Sequence, residues 1–232
     1  MSDFISKLEK YNVYLTKYSS SEVITPRNIV TDMVDLLPTD IYVPESKFLD
    51  PAVKSGRFLV EIHDRLMISP QMIEAFPDES KRKEHIFKNQ LYGLATSPFA
   101  ATISRKALYD DANVDGNIVY TSGKVTKELI QGAFGIMQFN VVIGNPPYNN
   151  DIHLDFVTIG FQLSTQFCVM ITPAKWQAKG GKKNEDFRKN IVPHMSKIVF
   201  YPDCTDIFAI GDPGGIAYYI LGLAEKDHIY SN

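Results

Sequence analysis

A short apolar run that ends in glycine, asparagine and two prolines is the feature that most constrains the fold of this chain. Residues 139–144 are too few for a typical helix and include three consecutive β-branched side chains, which predicts a buried strand. The strand leads into Asn145, Pro146, Pro147 and Tyr148, where the prolines fix φ and offer no N–H donors. Asn145 adds an amide carbonyl and Tyr148 an aromatic face. The loop therefore suits a flat ring that bears an amino group, with a proline-bounded strand end lacking any chemistry as the simpler alternative.

Length and charge limit the classes of protein to consider. The 232 residues are 44% hydrophobic and 22% charged, which is enough for one large domain or two small ones and excludes a disordered chain. The net charge of −3 argues against binding duplex DNA over the whole surface. Any nucleic-acid contact is therefore expected from a local patch or from a part of the protein beyond this sequence.

Cysteines and apolar segments suggest a cellular setting. Cys168 and Cys204 do not have the spacing of a zinc site, so no metal is predicted and a reduced, cytoplasmic protein is expected. The sequence begins without a basic and apolar secretion signal, and no apolar run reaches about 18 residues. Neither secretion nor a membrane span is predicted.

Two segments ahead of the loop have features of a ligand site. Thr25 is predicted to cap a helix whose first residue is Pro26. The pattern of residues 46–62 predicts a short strand, a tight turn and the start of a helix. Small residues in such a turn let a ligand approach the backbone, and free N–H groups at a helix start favour an anion.

These three segments together resemble the amino-methyltransferases that modify adenine N6 in DNA. Residues 145–148 match the catalytic motif of that family, and Thr-Pro at the helix start looks like its first cofactor motif. Residues 50–59 are similar to its Asp-Pro-Ala-x-Gly-Ser-Gly-x-Phe-Leu cofactor loop. They depart at Lys54, where the family has glycine and where lysine is strained if the turn needs a positive φ. The motif order resembles the subgroup whose target-recognition domain follows the catalytic domain.

The resemblance implies a site for S-adenosylmethionine and for the target base. The implied catalytic residues are Asn145, Pro146, Pro147 and Tyr148. The implied cofactor residues are Thr25, Pro26, Asp50, Pro51, Ala52, Ser55, Gly56 and Phe58. An acidic residue usually ends the second strand and binds the ribose hydroxyls. Here Ala95 takes that place, so Thr96 and Ser97 are the expected substitutes, and Asn117 is a candidate for the cofactor's adenine.

Apolar runs along the chain predict an α/β fold. There are seven strand candidates separated by helical stretches, including a second strand over residues 86–94 and a third over residues 115–120. Together with the resemblance they predict a Rossmann-like, seven-stranded class I methyltransferase sheet, mostly parallel with the last strand antiparallel. Residues 1–22 are predicted to form an N-terminal arm, and residues 23–232 the catalytic domain, with no separate target-recognition domain.

A basic stretch around a double glycine follows the fifth predicted strand. Lys175, Lys179, Lys182 and Lys183 suit contacts with DNA phosphates, and a solvated charged loop is the alternative. Target recognition is expected from a C-terminal domain or a second subunit.

The function implied by the resemblance is methyl transfer to N6 of a flipped-out adenine in DNA, within a restriction-modification system. The alternatives are an RNA or protein amide N-methyltransferase, a weakly active module that depends on a partner for DNA recognition, and an unrelated α/β binding protein.

Overall fold

The computed structural model of the chain describes residues 24–114, 116–203, 208 and 215–222. The predicted arm of residues 1–22 lies outside this range, as does Cys204. The described helices are α1 (Arg27–Val34), α2 (Arg57–Ile68), α3 (Pro70–Ala75), α4 (Glu79–Asn89), α5 (Pro98–Tyr109), α6 (Lys127–Phe134), α7 (Ile152–Leu163) and α8 (Lys182–Asn190). The strands are β1 (Phe48–Val53), β2 (Leu91–Ala95), β3 (Ile118–Tyr120), β4 (Phe139–Gly144), β5 (Ser164–Pro173), β6 (Met195–Tyr201) and β7 (Ile216–Gly222).

All seven strands form one sheet in the order β3-β2-β1-β4-β5-β7-β6. Strands β1 to β5 run parallel, whereas β7 is antiparallel to both β5 and β6. The predicted seven-stranded sheet with its last strand antiparallel is therefore confirmed. The chain moves outward from β1 to β3 and then returns to β4 on the other side of β1. Such a reversal opens a crevice at the carboxyl ends of the strands, where ligands bind in open α/β sheets.

Side chains of the central strands alternate between two apolar layers, one on each face of the sheet. In β4, Val141 and Ile143 join the layer that contains buried residues of α1, α2 and α5. Val142 faces the opposite layer, which contains buried residues of α6, α7 and α8. Burial on both faces explains why this strand is a continuous apolar run rather than an alternating one.

Local sequence signals explain several helix boundaries. The hydroxyl of Ser97 accepts a hydrogen bond from the Ala100 N–H at 3.0 Å, and Pro98 occupies the first turn of α5, as predicted. Asp78 caps α4 by accepting from the N–H groups of Ser80 and Lys81. The Ser97 cap marks where the chain leaves β2, and the Asp78 cap separates α4 from α3.

Two predicted strand boundaries are wrong. Residues 86–89 were expected in the second strand, but they form the last turn of α4, and β2 begins at Leu91. Arg82 and Ile86 are buried one turn apart on α4, so the buried positions at this end follow a helical period. The third strand begins at Ile118 rather than at residue 115.

The described residues contain neither a membrane-spanning helix nor a cluster of metal ligands. None of their helices is long and apolar enough to cross a membrane. Among the same residues, no group of three or more His, Cys, Asp or Glu side chains is arranged to hold a metal ion.

Two isoleucines of α2 test the assignment of its buried face. Ile62 is fully buried, whereas the side chain of Ile68 is 71% exposed. We expect Ile62→Ala to lower the free energy of unfolding by about 2–5 kcal/mol, because the substitution leaves a cavity in the core. Ile68→Ala is the matched control and should change it by less than about 0.5 kcal/mol. Chemical denaturation measures both, and equal effects would contradict the assignment.

Candidate active site

A small cleft lies where the loops after β1 and β4 meet the start of α1. It is lined by Thr25, Asp50, Ala52, Lys54, Ser55, Gly56, Arg57, Phe58 and Asn145. Seven of these nine residues were predicted for the cofactor or the catalytic loop, so the structure brings both motifs to one place. Two further predicted residues adjoin the cleft: Pro26 precedes α1 as its N-cap, and Pro51 is buried within β1.

A buried carboxyl group forms one wall of the cleft. Asp50 is only 3% exposed, and its Oδ1 accepts a hydrogen bond from the Ala52 N–H at 3.1 Å. A Cβ atom at Gly144 would lie 2.7 Å from the same oxygen, so only glycine leaves room for it. Burial raises the pKa of Asp50 to about 7, although the Ala52 N–H and the charge of Lys54 oppose this shift. The carboxyl group therefore changes charge near neutral pH.

The turn between β1 and α2 places its left-handed residue at Gly56. Gly56 has φ of +77°, and a Cβ there would lie 3.1 Å from the backbone of Ser104. Lys54, by contrast, does not have a positive φ; the described non-glycine residues that do are Asp110, Asn150 and Asp151. The departure from the family motif at Lys54 is therefore accommodated without the strain that a left-handed lysine would cause.

One hydrogen bond joins the cofactor side of the cleft to the catalytic loop. Asn145 Nδ2 donates to Thr25 Oγ1 at 3.1 Å, and both residues are buried. The prediction that Thr25 caps α1 is wrong, because Pro26 occupies the N-cap position and the threonine hydroxyl meets Asn145 instead. Asn145 Oδ1 is buried and has no hydrogen-bond partner in the described structure. Since buried acceptors are rarely left unpaired, this oxygen is a ready acceptor for an amino group.

The remainder of the catalytic loop is partly open. Pro146 is buried, whereas Pro147 and Tyr148 are half-buried. The ring of Tyr148 meets the ring of His153 edge-on, with centroids 5.9 Å apart. Burial lowers the pKa of His153 to about 4, and the opposing effects of Asp151 and of a hydrogen bond to the Tyr148 backbone are smaller. A neutral imidazole therefore packs against the tyrosine at neutral pH.

Three other predicted cofactor residues lie on or beyond β2. Thr96 is exposed just beyond the carboxyl end of β2 and does not line the cleft, and Ser97 uses its hydroxyl to cap α5. Asn117 lies at the amino end of β3, where its Nδ2 donates to the backbone carbonyls of Phe87 and Lys88. The structure does not bring Asn117 to the cleft, because it precedes β3 while the cleft follows the parallel strands.

The four lysines predicted to contact DNA fall into two groups. Lys179 Nζ lies 2.5 Å from Asp151 Oδ2, and Lys183 Nζ lies 2.8 Å from Asp155 Oδ2. Lys175 and Lys182 are exposed and have no ion pair with any described residue. Two of the four lysines therefore form ion pairs with α7 or with the turn before it.

Three residues of this region were not predicted from the sequence. Lys54 and Arg57 line the cleft from within the cofactor motif, at positions where the family pattern has glycine or no preference. His153 contacts Tyr148 from the first turn of α7. Its position five residues beyond Tyr148, at the start of a predicted helix, was the available signal.

Comparisons with known proteins agree with this geometry. The chain is 26% identical to an uncharacterized adenine-specific methylase of Mycoplasma pneumoniae, with 87% of this chain and 67% of that protein covered. The structure of the present chain resembles the M protein of the type I restriction enzyme EcoKI, with a TM-score of 0.67 and 18% identity over 87% of this chain. The chain spans only 44% of that protein's length.

A second solved structure has the same fold. It is a Listeria monocytogenes protein described as a class I S-adenosylmethionine-dependent methyltransferase, with a TM-score of 0.55, 14% identity, and coverage of 89% of this chain and 62% of that one. The decisive match is to a family model. Residues 7–197 match the model described as N-6 DNA Methylase, which includes both the cleft and the catalytic loop. The chain therefore belongs to the N-6 DNA methylase family.

Proposed function

We propose that this chain transfers the methyl group of S-adenosylmethionine to the N6 amino group of an adenine in DNA. The observation that carries the proposal is the buried, unpaired Oδ1 of Asn145 beside a cleft built from cofactor-motif residues. An acceptor in that place suits the N–H of an amino group. Membership of the N-6 DNA methylase family favours DNA over the RNA and protein alternatives.

The residues of the cleft fit S-adenosylmethionine. Gly56 is the left-handed residue that begins α2, and N–H groups in the first turn of a helix suit the carboxylate of the cofactor. Asp50, when ionised, supplies a negative charge for the positively charged ammonium and sulfonium groups. Bound there, the cofactor supplies an electrophilic methyl group. The fold shared with the Listeria protein supports the same ligand.

The catalytic loop fits the target base. The exocyclic nitrogen of adenine is a poor nucleophile because its lone pair is delocalised into the ring. When Asn145 Oδ1 and the Pro146 carbonyl accept hydrogen bonds from the two N–H groups of this nitrogen, the nitrogen moves towards tetrahedral geometry. Its lone pair then becomes available. Adenine in a duplex is out of reach, so the base is flipped out, and Tyr148 stacks against it.

Assembly with other parts completes the proposal. The EcoKI M protein belongs to a type I restriction enzyme, and this chain spans less than half of its length. We propose that the catalytic unit described here works within a restriction-modification system, with target recognition by a further domain or a second subunit. The exposed Lys175 and Lys182 are its proposed phosphate contacts.

Gly56→Ala tests the cofactor cleft. The added Cβ meets the Ser104 backbone at 3.1 Å and the left-handed φ is strained, so we expect S-adenosylmethionine to bind at least about tenfold more weakly, a loss of about 1.4 kcal/mol. Gly132→Ala in α6 is the matched control, because nothing lies within 4 Å of its Cβ position. Calorimetric titration measures both variants. Unchanged affinity in Gly56→Ala would place the cofactor elsewhere.

The raised pKa of Asp50 predicts a pH dependence of cofactor affinity. As the pH rises from about 6 to 8 the carboxyl group ionises, so binding of the cationic cofactor should tighten in the wild type. Asp50→Asn should bind more weakly and lose this dependence. The folded pKa lies above the unfolded value of about 4, so the carboxyl group also contributes stability at low pH that is lost as the pH rises through about 7. Asp50→Asn should remove that slope in denaturation measurements, and an unaltered slope would argue against a buried carboxyl group.

Variants of the catalytic loop test the chemistry. Asn145→Ala and Tyr148→Ala should abolish methyl transfer, since one removes the acceptor and the other the stacking ring. Tyr148→Phe keeps the ring and should retain most of the activity. Transfer of labelled methyl groups to DNA, with N6-methyladenine identified in the digest, measures activity, and thermal melting monitors the fold. Stability losses that parallel the activity losses would make these residues structural.

A further inference from the structure

Two ion pairs join the basic stretch to the segment that follows the catalytic loop. Asp151 and Asp155 lie four residues apart, and so do their partners Lys179 and Lys183. The equal spacing lets the start of α8 run beside the start of α7 with both pairs formed. Together they tie two segments that are 28 residues apart in sequence.

The aspartate nearest to the catalytic loop has an unfavourable backbone conformation. Asn150 and Asp151 both have left-handed φ, at 53° and 55°, only two and three residues after Tyr148. The left-handed region is strained for L-residues, even though Asn and Asp tolerate it best. Such a turn persists only if its surroundings hold it. The ammonium of Lys179, 2.5 Å from the Asp151 carboxylate, is one such support.

Arg188 fixes the backbone at and near Lys179 by hydrogen bonds. Arg188 Nη1 donates to the backbone carbonyl of Lys179 at 2.9 Å and to that of Trp176 at 2.5 Å. Trp176 is buried in the second apolar layer, which anchors this part of the basic stretch. The lysine therefore extends from a fixed backbone, and its ammonium is placed before any DNA arrives.

The supported turn leads directly to the tyrosine that is proposed to stack on the base. His153 lies between Asp151 and Asp155 in the first turn of α7, and its ring packs edge-on against Tyr148. A displacement of the start of α7 would therefore move the surface on which Tyr148 rests. This connects the two ion pairs to the base-binding face of the loop.

We propose that Lys179 and Lys183 are positioning residues, which hold the catalytic loop in place through Asp151 and Asp155, and that they do not contact DNA phosphates. The inference rests on the proposed function of the loop. Each ammonium group already forms an ion pair with a carboxylate, which lowers its attraction for a phosphate. Lys175 and Lys182, which have no ion pair with any described residue, remain for that role.

Steady-state kinetics with Asp151→Asn and Lys179→Gln distinguishes the two roles. Asparagine tolerates the left-handed region, so Asp151→Asn removes the charge without adding strain. We expect kcat to fall about tenfold in each variant, because misplacement of a catalytic group is costly, while KM for DNA stays unchanged. The double variant should be no slower than either single one, and Lys179→Arg should restore kcat.

A phosphate-binding Lys179 predicts the opposite: higher KM and a salt slope smaller by about one in Lys179→Gln, with tighter DNA binding in Asp151→Asn. That pattern would overturn the proposal.

A matched pair elsewhere in the chain provides the control. Asp110 is also left-handed, with φ of 61°, and pairs with Lys106 at 2.9 Å, but it lies at the far end of α5 from the cleft. Asp110→Asn and Lys106→Gln should leave kcat unchanged. A similar fall in kcat would mean that any lost surface pair slows the enzyme, and would overturn the proposal.

Hydrogen exchange separates this inference from the proposed function. Backbone amides of residues 148–151 should exchange faster in Asp151→Asn and Lys179→Gln than in the wild type, with those of β4 unchanged and thermal melting confirming that all variants are folded. The control variants should match the wild type. If the wild-type chain transfers no methyl group, the proposed function fails, and the exchange rates still decide the positioning role. Equal exchange in residues 148–151 in all variants would refute it.

Discussion

The parallel pairing of β1 with β4 is the constraint on which the site depends. Phe48 pairs with Val141 and Leu49 with Val142, and just beyond these pairs the Asp50 carboxyl oxygen lies 2.7 Å from where a Cβ on Gly144 would be. The side chain of one strand then occupies the space that a Cβ on the other would need. Because Asn145 follows Gly144 directly, this close approach brings the cofactor cleft and the catalytic loop together. The cost is a carboxyl group held in a buried position, which the surrounding apolar layers must offset.

The orientation of a single amide follows from this arrangement. The two ends of the Asn145 side chain have opposite hydrogen-bonding roles, so the chemistry of the loop depends on which end faces the cleft. Thr25 Oγ1 accepts from Nδ2 and leaves Oδ1 as the unpaired end. The hydroxyl of Thr25 thus occupies Nδ2, and Oδ1 remains for the incoming group. A threonine that capped α1 could not do this, because its oxygen would accept from the N–H groups of the helix instead.

Local signals in the sequence were enough for much of the fold but not for contacts between distant residues. The apolar run of β4 and the Ser97-Pro98 helix start are defined by their own neighbours in sequence, and the structure has both. The hydrogen bond between Thr25 and Asn145 joins residues 120 apart in sequence, so nothing in the sequence near either residue indicates it. Asn117 was assigned to the cofactor's adenine from the family resemblance, but it precedes β3, and a strand's start decides which edge of the sheet the neighbouring residues occupy. The ion pairs of Lys179 and Lys183 depend in the same way on how α7 and α8 pack.

The two left-handed aspartates show why the same local chemistry has different consequences. Asp110 pairs with Lys106, four residues earlier on the same helix, so this ion pair only stabilises the end of α5. Asp151 pairs with Lys179 across 28 residues, and its backbone lies between the catalytic loop and α7. An exposed ion pair within one helix contributes little to stability. A pair of similar strength between two elements restricts how they move relative to each other, and at Asp151 that restriction acts on the support of Tyr148.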